Sequence, residues 1–180
     1  MTNIFEQLSN ISGESAYYLI TLNYPEKVNL NYYQELYRII DRSTQIKLLL
    51  STQSWREQLI AYMLIMSSGN CSFIEDIKDC FNQGSHISPQ LAVVIALQDR
   101  KQALNYFLAL IESFQLSNQS LSGISKSIGA IMAVMPTCGG FEISIPKLNL
   151  DLDNFNTGFL VASHHLNFWQ KNGWENNHHS

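Results

Sequence analysis

Charged side chains are scarce in this 180-residue chain, and their scarcity excludes one class of function. Lysine, arginine, aspartate and glutamate make up 14% of the residues, and the formal net charge is −4. No window of the sequence gathers lysine and arginine into the basic cluster with which proteins neutralise nucleic-acid phosphates. We therefore expect no nucleic-acid binding, and a mildly acidic surface is better suited to a basic partner.

The chain also lacks the features that direct proteins to membranes, cofactors or oxidising compartments. No apolar run approaches the ~20 residues that span a bilayer, and the N-terminus has neither the positive flank nor the apolar stretch of a signal peptide. The three cysteines follow no disulfide-framework spacing, which predicts a cytoplasmic protein. Phosphate loops, dinucleotide fingerprints, nucleophile elbows and zinc patterns are missing, so we expect no cofactor and no metal.

What the chain does contain is a run of four predicted helices over residues 54–114. Residues typical of helix starts stand before them: Ser54, Ser72, Ser88 and Asp99. Gly69 and Gly84 stand where a helix needs a left-handed residue to end. Residues 59–66 and 91–97 are apolar without interruption, so the first and third helices should be buried on most sides. The second and fourth are amphipathic.

The spacing of these helices carries a family resemblance. Residues 92–111, which read AVVIALQDRKQALNYFLALI, resemble one unit of the short bacterial HEAT-like repeats, and residues 55–81 resemble a second, poorer copy. The resemblance covers about a third of the chain and implies an α-solenoid-like stack that contacts other proteins. It transfers no catalytic residue. In size and character, the chain is also similar to the small helical immunity proteins of bacterial toxin systems.

The whole chain is predicted to be mainly α, a single domain over residues 1–180 built as a HEAT-like stack of antiparallel helix pairs. The predicted segments are N-terminal helices over 1–50, the HEAT-like core over 54–114, a helix over 120–135, a short β-hairpin or extended arm over 141–153, and a C-terminal helix over 154–172. Residues 17–24 fit either a strand or a buried helix. Gly123 and Gly129 weaken their helix unless a neighbouring helix approaches closely there. The tail from Trp174 onward is polar, and we expect it to fray.

Three kinds of side chain are candidates for chemistry, and each has a structural alternative that the sequence favours. Cys71 and Cys80 are interpreted as buried thiols, whereas Cys138 lies in a Thr-Cys-Gly-Gly loop that is able to expose it. His164 and His165 point about 100° apart on the last helix, which disfavours joint metal binding. His165 falls beside the apolar face of that helix, which fits a hydrogen-bonded core histidine. The oxygen-rich residues 151–156 lack an EF-hand pattern, and Asp153 or Asn154 more simply caps the last helix.

The remaining candidates form a surface for another protein. Exposed aromatic residues are typical of binding hot spots, and carboxylates on one helix face suit a basic partner; the residues in question are Tyr33, Trp55, Glu75, Asp76 and Asp79. We therefore expect a non-enzymatic interaction module, in its most specific form an immunity protein that occludes a toxin. Two alternatives remain: a ligand-binding protein or enzyme with a site near Cys138, His164 and His165, and a structural subunit of an oligomer.

Overall fold

The computed structural model describes residues 23–98, 100–116, 121–140 and 149–174. Regular secondary structure within these ranges is helical and includes no strand, which confirms the all-α class. The helices are α1 (Leu30–Ile39), α2 (Arg42–Ser51), α3 (Trp55–Ser68), α4 (Ile74–Asn82), α5 (Ser88–Gln98), α6 (Arg100–Leu116), α7 (Leu121–Val134) and α8 (Leu152–Lys171), with 3₁₀ turns at Pro25–Lys27 and Met135–Cys138. The predictions for residues 1–22, for Asp99 and for the arm over 141–148 lie outside the described residues.

The structure confirms the helix ends predicted at two glycines, but the helix starts predicted at serines only in part. Gly69 (φ 69°) and Gly84 (φ 81°) both adopt the left-handed conformation that follows a helix. Ser54 does precede α3, although its side chain makes no capping hydrogen bond. The start predicted at Ser72 is wrong, because Phe73 occupies the N-cap position of α4. The start predicted at Ser88 is one residue late, because Ser88 is already helical.

The last helix begins earlier than the sequence suggests, and this corrects two predictions. Asp151 is its N-cap, and the Asp151 carboxylate accepts hydrogen bonds from the backbone N–H groups of Asp153 and Asn154, each at 3.1 Å. Neither Asp153 nor Asn154 is therefore the cap. Because the helix begins at Leu152, the last two residues of the predicted arm are helical rather than extended.

The two uninterrupted apolar runs form the centre of the molecule, as predicted. Residues 59–66 of α3 and 91–97 of α5 are buried throughout. Helix α5 is the central element, since it contacts α3, α4, α6, α7 and α8. The first two helices pack on α3 instead, so the core lies around α3 and α5.

The closest helix pair is α7 with α8, and two glycines make that approach possible. A Cβ atom added to Gly129 of α7 would overlap the carbonyl oxygen of Phe155. One added to Gly158 of α8 would overlap the carbonyl oxygen of Lys126 in the same way. The two helices therefore approach closely at Gly129, and this packing is the predicted reason for a glycine inside α7.

Candidate functional site

The two aromatic residues predicted to contact a partner differ in their solvent exposure. Tyr33 is 1% exposed, with its ring packed edge-on against Tyr32 at 5.6 Å between centroids. Tyr33 is therefore part of the hydrophobic core, and its prediction as a surface contact is wrong. Trp55 is half-buried at the start of α3, and the guanidinium of Arg56 lies over its ring at 4.6 Å.

The three predicted carboxylates lie together on α4, two of them beside lysines. Glu75 and Asp79 are exposed, and Asp76 is half-buried. The Lys78 ammonium lies 2.6 Å from the Glu75 carboxylate, and the Lys47 ammonium of α2 lies 3.6 Å from that of Asp76. The Lys78 side chain is only 14% exposed, whereas that of Glu75 is 78% exposed, so the carboxylate is the outward member of its pair.

The acidic face continues onto the neighbouring helix through Tyr106 of α6. The Lys78 ammonium lies over the Tyr106 ring at 5.5 Å, and the Tyr106 hydroxyl donates to the side-chain oxygen of Asn82 at 2.7 Å. Burial raises the pKa of Tyr106, and the negative charges of Asp79 and Glu75 raise it further. These carboxylates therefore act electrostatically on Tyr106.

On its other side the same face reaches α2 through the pair of Asp76 with Lys47. We call the combined region the acidic surface and define it by four residues: Glu75, Asp76, Asp79 and Tyr106. It joins three carboxylates of α4 to an aromatic ring of α6.

The three residues of the alternative site, Cys138, His164 and His165, differ in burial and in the groups they contact. Cys138 is buried at the end of the 3₁₀ turn Met135–Cys138, with its Sγ 4.0 Å from the carbonyl oxygen of Ala96, so the segment that was able to expose this thiol does not expose it. The turn packs against α5 and α6, which covers the thiol. Burial raises the pKa of the Cys138 thiol to about 11, a shift that nearby Arg100 only partly offsets.

The two adjacent histidines are divided between surface and core. His164 is exposed, and its Nε2 lies 3.1 Å from a carboxylate oxygen of Glu26 in the first 3₁₀ turn. His165 is fully buried, and its Nδ1 lies 2.8 Å from the hydroxyl oxygen of Tyr62. The described residues include no group of three His, Cys, Asp or Glu side chains placed to hold a metal ion.

Tyr62, His165 and Trp169 form a hydrogen-bonded chain in the core. This confirms the interpretation of His165 as a hydrogen-bonded core histidine, whereas the sequence did not suggest Tyr62 and Trp169 as the other members. The Trp169 indole N–H donates to the Tyr62 hydroxyl oxygen at 2.6 Å. Because that N–H only donates, we assign the Tyr62 proton to the bond with His165 Nδ1, which places the proton of a neutral imidazole on Nε2. Complete burial raises the pKa of Tyr62 well above its ordinary value.

Next to this chain lies a cavity of about 390 Å³ between α1, α3 and α8. Its described lining is Leu30, Gln34, Met66, Ser67, Ser68, Gly69, Trp169, Asn172 and Trp174. Trp174 is only 4% exposed, so the prediction that the tail frays from this residue is wrong. The signal was present in the sequence, because a tryptophan in a polar tail has a large apolar surface to bury.

Among the helices described, none combines the length and apolar character needed to cross a membrane. Comparisons of the chain with protein-family models, with curated proteins and with solved structures find no match.

Proposed function

We propose that this protein is a non-enzymatic interaction module that binds a basic partner protein through the acidic surface. The observation that supports it is the pairing of Lys78 with Glu75, because the lysine is turned inward over Tyr106 and the carboxylate outward. Asp79 is exposed on the same helix. Exposed carboxylates offer charge complementarity to a basic partner.

We further propose that α3 to α6 form a HEAT-like stack, with α3 and α5 inside and α4 and α6 outside. Unlike the second helix of a regular repeat, α4 packs on α5 and α2 rather than on α3, the helix before it. Contacts between alternate helices support this arrangement. Helix α3 packs on α5, and the Phe81 ring of α4 lies 6.4 Å from the Phe107 ring of α6. The bond from Tyr106 to Asn82 links the same two outer helices. In such a stack the outer helices form a continuous face, and the acidic surface lies on it.

The most specific form of the proposal is a cytoplasmic immunity protein that occludes a toxin. The small size of the chain and its net charge of −4 support this form, since many toxins that act on nucleic acids are basic. In that role the protein needs no catalytic group. It needs a stable surface that covers the active site of its partner.

A charge-removal experiment tests the proposal. The double variant Glu75→Gln, Asp79→Asn removes two exposed charges from the acidic surface, and the control variant Glu35→Gln, Glu112→Gln removes two exposed charges from α1 and α6. Tagged forms are used to capture proteins from the native lysate at low and high salt. We expect one stoichiometric partner with the wild-type and control forms, and its loss with the double variant.

Two results would contradict the proposal: no captured partner at all, or a partner that the double variant retains as well as the control does. Expression of the captured partner alone tests the immunity form. We expect it to arrest growth unless this protein is co-expressed.

A specific observation also favours a second candidate, the structural subunit of an oligomer. Leu152, Phe159 and Leu160 of α8 are 69%, 40% and 66% exposed, and positions seven and eight apart lie near one face of a helix. Light scattering at two protein concentrations tests this candidate. A mass that stays monomeric at both concentrations would contradict it.

A further inference from the structure

The buried histidine of the core chain occupies a position that suits only its neutral form. His165 of α8 is fully buried, and its Nδ1 lies 2.8 Å from the Tyr62 hydroxyl oxygen. The same oxygen accepts from the Trp169 indole N–H at 2.6 Å. Because an indole N–H never accepts, the Tyr62 proton points to Nδ1, which therefore has to be an unprotonated acceptor. The contact between α3 and α8 thus depends on a neutral imidazole.

Protonation of His165 places two donors against each other. An imidazolium ring carries an N–H at both nitrogens, so Nδ1 becomes a donor whatever the other ring nitrogen contacts. The Tyr62 hydroxyl accepts from that donor only by turning its own proton away. Among the described residues, the hydrogen bonds of this hydroxyl are those with His165 and Trp169, which leaves the turned proton no acceptor. A buried donor without an acceptor is unfavourable, so the protonated ring disfavours the closed contact.

Several elements surround His165, and their charges bear on the stability of a protonated ring. Helix α8 packs on α5, α7 and the first 3₁₀ turn, and hydrogen bonds join it to α3. Helix α5 has no charged side chain. Apart from tyrosines, the titratable side chains of the other elements are Glu26 and Lys27 of the turn, Arg56 and Glu57 of α3, Lys126 of α7, Asp153, His164 and Lys171 of α8, and Glu35 and Arg38 of α1, which lines the neighbouring cavity.

The carboxylates in that set lie away from the bond between Tyr62 and His165. Glu26 lies 3.1 Å from Nε2 of the exposed His164, and Glu35 is exposed on α1. Glu57 and Asp153 are in the first turns of α3 and α8, more than one full turn before the bonded residues of those helices. The negative end of α8 is also more than a turn from His165, and the effect of a helix end is confined to its last turn. None of these groups removes the conflict at Nδ1.

We propose that His165 is an acid-sensitive switch in the core: protonation of its imidazole breaks the bond to Tyr62 and separates α8 from α3. The closed state needs the unprotonated ring, whereas in the open state the ring binds a proton with the ordinary histidine pKa of about 6.5. The open state therefore binds more protons. Its population relative to the closed state rises as pH falls below 6.5, by up to about tenfold per pH unit.

The switch is separate from the acidic surface, which lies on α4 and α6. NMR of the full wild-type chain at pH 7.5 and pH 5.5 tests it, since solvated carboxylates stay mostly ionised in this range. At pH 7.5 the ¹⁵N signals of the His165 ring should show an unprotonated Nδ1. The opening constant from exchange of the Trp169 indole N–H, corrected for the intrinsic exchange rate, should be about tenfold larger at pH 5.5.

Two asparagine variants separate this histidine from its neighbour. In His165→Asn the amide oxygen accepts from the Tyr62 hydroxyl near the position of Nδ1 and does not titrate. We expect the same Trp169 opening constant at both pH values in this variant. His164→Asn removes the exposed histidine of the same helix and should keep the tenfold rise. Circular dichroism checks that both variants are folded.

Three results would overturn the proposal. The first is a wild-type opening constant that does not change with pH, and the second is a tenfold rise that persists in His165→Asn. The third is a His165 ring that is protonated at pH 5.5 while the Trp169 indole N–H keeps its protection. The first and third come from the wild-type chain, so they decide the matter even where His165→Asn does not fold.

Discussion

The Tyr62 hydroxyl lies 2.8 Å from the Nδ1 atom of His165, although 103 residues separate the two in the chain. With the Trp169 indole, they connect α3 to α8 by polar bonds inside an apolar core. Tyr62 takes part in both hydrogen bonds, so a change at Tyr62 affects both of them.

Removing the Tyr62 hydroxyl should destabilise the protein. Tyr62→Phe keeps the ring but leaves His165 Nδ1 and the Trp169 N–H without that partner in the core. We expect the free energy of unfolding to fall by about 2–3 kcal/mol in urea denaturation. Tyr106→Phe is the control, because its hydroxyl bond to Asn82 is near the surface, and we expect a loss of about 1 kcal/mol. Equal losses in the two variants would contradict this prediction.

The glycine contact between α7 and α8 should not tolerate a methyl group. Alanine favours a helix over glycine by ~1 kcal/mol, but in Gly129→Ala or Gly158→Ala the new Cβ meets backbone, which cannot rotate away. We expect a net loss of about 2 kcal/mol or more in thermal or urea unfolding. Asn156→Ala, at an exposed position of α8, should instead stabilise slightly. An increase in stability for either glycine variant would show that the helices are able to separate there.

The three cysteines should react at very different rates with a thiol reagent at neutral pH. Cys71 is exposed, so its interpretation as a buried thiol is wrong, whereas Cys80 and Cys138 are buried. Burial raises the pKa of both buried thiols to about 11. Mass spectrometry after brief alkylation should find Cys71 modified first, and the other two modified only after addition of denaturant. Rapid labelling of Cys138 in the folded protein would revive the alternative of a reactive site there.

The same two thiols should make stability fall at alkaline pH. A thiol in the unfolded chain has a pKa of about 8.5, and in the folded protein the pKa rises to about 11. Between these values the unfolded state binds fewer protons, so the free energy of unfolding falls as pH rises. Urea denaturation from pH 7.5 to 10.5 measures the decline. It should be shallower in the Cys80→Ala, Cys138→Ala double variant, and an identical slope would contradict this explanation.

Local signals predicted the helices better than their exact starts. The left-handed conformations at Gly69 and Gly84 and the burial of residues 59–66 follow from single residues and from short apolar runs. The start of α4 was misplaced because the apolar Phe73 occupies its N-cap position. The start of α8 was misplaced because several polar residues stand near it. Which of them becomes the cap depends on packing that the sequence does not reveal, as with Asp151 in place of Asp153.

The site residues were harder to predict because their roles depend on distant contacts. Nothing near His165 in the sequence points to Tyr62, and nothing near Cys138 points to the Ala96 carbonyl that lies against it. Tyr33 has the spacing of an amphipathic helix, which does not distinguish a core aromatic from a surface one. Carboxylates were placed better, because solvent exposure is their ordinary state: Glu75 and Asp79 are on the surface as expected.

Because the chain is synthesised from its N-terminus, the hydrogen bonds between Tyr62 and α8 can form only late in synthesis. A ribosome releases Tyr62 about a hundred residues before His165 and Trp169. Until then the nascent chain lacks the two bonds that satisfy this hydroxyl, together with the helix that covers α5 and α7. Such distant contacts form late and slowly. The molecule thus acquires its finished core only after α8 has emerged from the ribosome, and until that moment its inner helices depend on other means of protection from aggregation.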